Sequence, residues 1–339
     1  MARIKHYVLL TMIGWALTAC LSSSDCFRED VFCAAFVTDT QGIDDHGIHQ
    51  DAWAGLQAAE ESGLADRVEF IESIDTRDYL KDIAYFADQG FDVIFTSGIA
   101  LADETLQSAD LYPDSVFVGL SQPFEESRPN LISVTFPEDQ MGFAAGVLAA
   151  RLSRTGKVAA VCETSGIDSM YLYCEGFREG VKLAGQFTST SVTVSVVYRD
   201  HGNREKLFID EAWGYETAAS LISQGVDVIF AAGGGTGQGA LRAASERGVA
   251  ALGVERDQAA ALGGSGSGVV TSLYGAANFE VQEVMRLLQA GEFPQTRVGQ
   301  VQFKPFPSNF PPDFGVGVET VLNLLANGQI STNVILKSR

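Results

Sequence analysis

The decapeptide QGFDVIFTSG at Gln89 to Gly98 returns as QGVDVIFAAG at Gln224 to Gly233. Each copy reads as a helix-ending glycine, a short buried strand and a closing glycine. A second echo sets AGLQAAEESG, after the first strand of the front half, against EGFREGVKLAG, after KVAAVCETSG in the middle of the chain. A chain that repeats such a unit predicts two similar lobes with a cleft between them. Around the repeats, apolar runs alternate with helical stretches: Val31 to Thr38, then a helix from about Gly47 to Ser62; Val68 to Glu72, then Asp78 to Gln89. That alternation predicts an α/β chain with parallel sheets. In such sheets the loops at the carboxyl ends of the strands face the crevice. The cleft walls are therefore expected at Asp39 to His49, Ser97 to Leu101, Thr164 to Tyr171 and Gly233 to Gln238.

A length of 339 residues suits two packed lobes rather than one core. Irregular sequence suggests three links between them, near Thr135 to Glu138, near Gly268 to Gly275, and in the proline-rich FKPFPSNFPPDFG, Phe303 to Gly315. The first lobe is then expected from 31–135 with about 270–303, and the second from 136–269 with about 304–339. Three crossing segments make a hinge, and the expected shape is a clamshell. The formal net charge of -20 repels phosphate backbones and anionic lipid surfaces, so nucleic acid is not expected as a partner.

The N-terminus has a basic start at Arg3 and Lys5, an apolar stretch from Tyr7 to Ala16 and small residues before Cys20. The stretch is too short to span a bilayer and has the layout of a signal peptide, residues 1–19. A cysteine at that point resembles the lipobox of bacterial lipoproteins, which implies that Cys20 carries the lipid and that 20–30 is a polar tether. An exported chain folds in an oxidising compartment. Cys26, Cys33, Cys162 and Cys174 can form two disulfides, and although three connectivities exist, close spacing favours Cys26 with Cys33 and Cys162 with Cys174. No CxxC or HxxxH spacing supports a metal site.

Enzyme signatures are sparse. AAGGGTGQGA fits no GxGxxG register and is followed by no GxxxxGK, so its glycines, Gly234 among them, are read as letting main-chain N-H groups approach a ligand. No GxSxG sits at a strand-turn-helix. The paired acids Asp44 with Asp45 and Glu255 with Asp257 could serve a glycosidase, or could accept hydrogen bonds from a polar ligand. Phe208, ahead of the helix in LFIDEAWGYETA, is placed to stack on a flat ligand face.

Taken together, VTDTQGIDDHGIHQDAWAG, FPEDQMGFAAGVLAA, FIDEAWG, QGVDVIFAAGGGTGQGAL, GVERDQ and VVTSL, in that order, resemble the basic membrane protein family of purine-nucleoside receptor lipoproteins. The resemblance implies a type I periplasmic-binding-protein fold, two Rossmann-like α/β lobes joined by a multi-strand hinge, closing on a nucleoside. It implies a site at Asp45, at Ile48 in place of a stacking Phe, at His49 in place of Asn, at Ser121 in place of an acid, at Phe208, at Glu255 on the ribose and at Gly275 in place of Lys. Ser97 and Gly234 complete the expected set. The expected protein is a lipid-anchored, extracytoplasmic, monomeric binding component of an ABC importer, with a small-molecule ligand, a membrane permease as partner and no cofactor. An extracytoplasmic sensor of the same fold and a cleft hydrolase using the paired acids are the alternatives.

Overall fold

The computed structural model describes residues 26–186 and 191–336. The expected signal peptide and Cys20 lie outside the described residues. From β1 (Cys33–Thr38) the chain runs through α1 (Ile48–Glu61), β2 (Arg67–Glu72), α2 (Tyr79–Ala87), β3 (Val93–Ser97), α3 (Ala102–Leu111), β4 (Val116–Leu120) and β5 (Leu131–Thr135). It crosses to α4 (Glu138–Leu152), β6 (Lys157–Cys162), α5 (Asp168–Gly185), β7 (Thr193–Tyr198), α6 (Glu211–Ser223), β8 (Val228–Ala232), α7 (Gly234–Glu246), β9 (Ala250–Val254), α8 (Gln258–Leu262) and β10 (Val269–Tyr274). Then come α9 (Ala277–Gln289), β11 (Thr296–Val298), β12 (Gln302–Phe303) and α10 (Asp313–Ala326).

Two six-stranded sheets result, ordered β11-β5-β4-β3-β1-β2 and β12-β10-β9-β8-β6-β7. The strands pair in parallel except β12, which runs antiparallel to β10. The decapeptide repeat occupies β3 in one sheet and β8 in the other, each beside the first strand of its lobe. Even its glycines match in conformation: Gly90 and Gly225 have φ of 76° and 93°, and Gly98 and Gly233 have φ of 105° and 113°. Strands β3 and β8 are buried at every position, as parallel strands covered on both faces must be.

The links differ from the expected boundaries at two places. Strand β10 pairs with β9, so 269–274 belongs to the second sheet, and the glycine-rich stretch before it only joins α8 to β10. The chain returns to the first lobe at Ala276, φ 51°, and α9 packs on α1, where Asn278 lies against Gly55. The third crossing joins β11 to β12, ahead of the proline-rich stretch, which stays with the second lobe. Composition pointed to glycine and proline, but strand pairing decides where a chain changes sheets.

Disulfides join Cys26 to Cys33 and Cys162 to Cys174, with Cα separations of 5.7 and 6.6 Å. The first pins residues 26–30 of the expected tether to the start of β1. The second ties the end of β6 to α5.

Helices α4 and α5 touch through their main chains. A Cβ at Gly142 would strike the carbonyl of Tyr173, and at Gly146 that of Phe177. From the other side, Gly176 sits on the carbonyl of Asp139 and Gly180 on that of Phe143. Glycines four apart lie on one helix face, so each pair clears a flat strip along which the backbones approach. We expect Gly180→Ala to cost about 1–3 kcal/mol by overpacking. Gly185→Ala, whose added carbon meets nothing within 4 Å among the described residues, should cost less. Calorimetric melting of the two variants checks the contrast, and equal melting temperatures would contradict it.

Candidate functional site

The loop after β1 is organised by two carboxylates. Asp39 accepts from the main chain and the side chain of Gln41 at 2.9 and 3.2 Å. Asp45 accepts from the N-H groups of Gly47, His49 and Gln50 at 2.8, 3.0 and 3.1 Å, and so satisfies donors in the first turn of α1. His49 is buried, its Nδ1 2.9 Å from the Gly42 carbonyl and 3.6 and 3.9 Å from Asp45 and Asp39. A carbonyl only accepts, so Nδ1 donates. Next to it, Ile48 presents an alkyl face to the cleft.

Across the cleft, Phe208 is fixed by a buried network. Glu163, fully buried, accepts from the Phe208 N-H at 2.9 Å, from Thr236 Oγ1 at 2.7 Å and from Arg199 at 3.1 Å. Arg199 also pairs with Asp210, which caps α6. Phe208 is thereby held at φ 64°. Positive φ also occurs at His46, Ser121, Glu255 and Ala276, in the loops or links at the cleft. Strained backbone concentrated at one place is a mark of a functional region. Gly234, at φ 52°, has no room for a side chain between the carbonyls of Asp45 and Phe208. At the rim the lobes meet directly: Gln258 donates to the His46 carbonyl at 3.2 Å, and Arg256 to Gln50.

Between the lobes lies a cavity of about 160 Å³. Asp45, Ile48, His49, Ser121, Phe208, Gly234, Glu255 and Gly275 line it. Ser97 does not. Its side chain is fully buried at the end of β3, its hydroxyl unpartnered, and the chain turns at Gly98 so that Gly98 and Ile99 reach the cavity instead. The expected acid pairs are also divided. Asp44 is exposed and meets Gln50, while Asp257 caps α8 and pairs with Lys304 at 3.2 Å, so of these four acids Asp45 and Glu255 face the cavity. Neither expected pair enters the cavity as a pair.

Asp39 and Met170 line it from the expected cleft walls, whereas Phe136, Glu138 and Tyr173 were not among the expected site residues. Phe136 and Glu138 stand inside the FPEDQMGF motif, at the first crossing between the lobes, and that position was the available signal. Phe136 also explains the glycine at 275: a Cβ there would collide with the ring, so Phe136 occupies the space beside the position where the resemblance implies lysine.

Burial drives the electrostatics. It pushes Glu138 up to about 8, helped by the charges of Asp139 and Glu255, and it pushes Glu255 up to about 7, helped by Asp45. Burial alone would lower His49, but Asp45, Asp39, the Gly42 carbonyl and Glu255 outweigh it and leave it raised. Tyr173 is raised by burial and then by Glu138 and Glu255.

Residues 32–299 match the Bmp family model, described as ABC transporter substrate-binding protein PnrA-like. The chain belongs to this family. A Listeria monocytogenes protein named CD4+ T-cell-stimulating antigen is 30% identical over 307 residues, covering 83% of this chain and 82% of that one. The Lactococcus lactis ABC transporter nucleoside-binding protein BmpA is 29% identical over 209 residues, 61% of this chain and 56% of its own. Among solved structures, an ABC transporter solute-binding protein from Conexibacter woesei superposes with a TM-score of 0.73 at 22% identity, covering 88% of this chain and 98% of that one. This likeness gives the fold: the two-lobed α/β architecture of type I periplasmic solute-binding proteins. Membership implies a small-molecule ligand and a permease, with the chain working outside the cytoplasm. Among the described residues no helix is long and apolar enough to cross a membrane.

The four raised groups act with one sign. Each binds its proton more tightly folded than unfolded, so its contribution is complete below the unfolded value and is lost as pH rises through the folded one. For the two glutamates the window runs from 4.5 to about 7 and about 8. The melting temperature of the ligand-free protein should therefore fall between pH 5 and pH 8, and Glu138→Gln should flatten the fall. A melting temperature that rises across that interval would contradict the assignment.

Proposed function

We propose that this chain is a lipid-anchored receptor that captures a nucleoside or related polar ligand between its lobes and hands it to an ABC permease. The observation that carries the reading is the interlobe cavity itself, lined from both lobes, with Phe208 and four carboxyl groups in its walls. An aromatic face suits a flat heterocycle, and buried carboxylates suit the hydroxyl and N-H donors of a sugar or base. Ile48 supplies an alkyl wall opposite the ring wall, a looser grip than a pair of aromatics.

The test is a thermal-shift screen of the detergent-solubilised full chain against nucleosides, free bases, sugars and amino acids. A nucleoside at a hundred times its Kd should add about 2.7 kcal/mol. Phe208→Ala should weaken it by about 1–3 kcal/mol, the worth of one stacked base. Stabilisation only by solutes without an aromatic ring would replace the nucleoside with another ligand class.

The anchor rests on the sequence around Cys20 and on the family relationship. Cys20→Ala should move the protein from the membrane fraction to the soluble fraction of the producing cells. Unchanged membrane association after that substitution would remove the lipid from the account.

A further inference from the structure

Four carboxyls line the cavity, those of Asp39, Asp45, Glu138 and Glu255, and His49 is the one basic residue there; no described lysine or arginine lines it. Three of the four acids are committed to protein donors. Asp39 is held by Gln41, Asp45 by the first turn of α1, and Glu255 by the N-H of Gly234 at 3.3 Å. Glu138 differs. It is 8% exposed and opens on the cavity, and among the described residues the one donor at its carboxyl is its own main-chain N-H, which also meets the Phe136 carbonyl at 3.0 Å.

The groups around Glu138 offer it no cation. On α4 its neighbour Asp139 is engaged by Thr332 at 2.5 Å. From the loop after β9 comes Glu255, and from α5 comes Tyr173, whose hydroxyl meets the Met141 sulfur at 3.9 Å. Asp39, Asp45 and His49 line the same cavity from the first lobe, and there His49 is already held between two carboxylates. The position where the family resemblance implies a lysine is glycine, closed over by Phe136. A buried carboxyl that no protein cation neutralises stays protonated unless a charge arrives with the ligand.

We propose that Glu138 determines ligand choice, and that the ligand brings a protonated amine or comparably basic nitrogen into the end of the cavity formed by Phe136, Glu138, Tyr173 and Glu255. The proposal rests on the interlobe cavity being the ligand site and narrows the ligand to one with a cationic end. Binding then transfers the Glu138 proton to solvent: the carboxylate forms as the ammonium group arrives, and net charge in the cavity is conserved. Affinity for such a ligand rises with pH as long as Glu138 starts protonated and the amine stays charged. Burial places Glu138 at about 8, so this range includes neutral pH.

Matched ligand pairs test it by calorimetric titration of the detergent-solubilised full chain: adenosine against 5′-amino-5′-deoxyadenosine, and glucose against glucosamine. At least one amine should bind about tenfold or more tightly than its hydroxyl partner at neutral pH, the equivalent of one pKa unit. Its binding should release protons, seen as heats that depend on the buffer's ionisation enthalpy. Glu138→Gln should abolish both effects. The proton release is measured on the unaltered protein, so the test survives a variant that does not fold. The proposal is overturned if no amine is preferred, if the preferred amine releases no proton, or if the preference outlasts Glu138→Gln. A preference for glucosamine with no binding of either nucleoside would keep the cationic end and discard the nucleoside. Equal binding of the two nucleosides, with no preference for glucosamine, would do the reverse.

Discussion

The second lobe hangs on main-chain contact between α4 and α5. Gly142, Gly146, Gly176 and Gly180 each lack the Cβ that would strike the other helix, so carbonyls of one helix lie against the glycines of the other. The exchange gives up side-chain burial and gains close dispersion contact between backbones, which is favourable only at small separation. Its consequence lies at the helix starts. The approach to α4 carries Phe136 and its first residue is Glu138, while the first turns of α5 carry Met170 and Tyr173. Clamping the two axes together therefore builds one end of the cavity from two helix starts.

The opposite wall depends on charge buried for the sake of shape. Glu163 and Arg199 lie inside the lobe, and taking such a pair out of water costs about as much as their attraction returns. What it gives is orientation: Glu163 holds the Phe208 amide and the Thr236 hydroxyl at once and keeps Phe208 in a left-handed conformation. The disulfide beside it, Cys162 to Cys174, ties the strand that ends just before Glu163 to the helix that carries Tyr173. Both cavity walls of the second lobe are thus linked through one covalent bond and one buried ion pair.

Much of the fold was legible in the chain because its cause is local. Buried parallel strands read as apolar runs, and left-handed turns read as glycine, so QGFDVIF and QGVDVIF located the third strand of each lobe. Most of the expected site residues line the cavity because strand-end loops face the crevice in any such sheet. The failures are equally physical. Ser97 and Gly98 are adjacent, yet only the second faces the ligand space, since a single residue at the end of a strand reverses the direction of a side chain. Asp44 and Asp257 looked like half of two acid pairs, but what each touches follows from where its loop is held.

Sequence alone determined the α/β class, the two alike lobes and the family, since periodicity, glycine positions and motif order are properties of the chain taken in order. Tertiary structure decided the chemistry of the ligand space. Phe136 against Gly275, four acids and one imidazole in a single cavity, and the burial that raises Glu138 and Glu255 all join residues distant in sequence. The energy of a carboxyl depends on the water and charges within a few ångströms, and only the closed packing of both lobes fixes those.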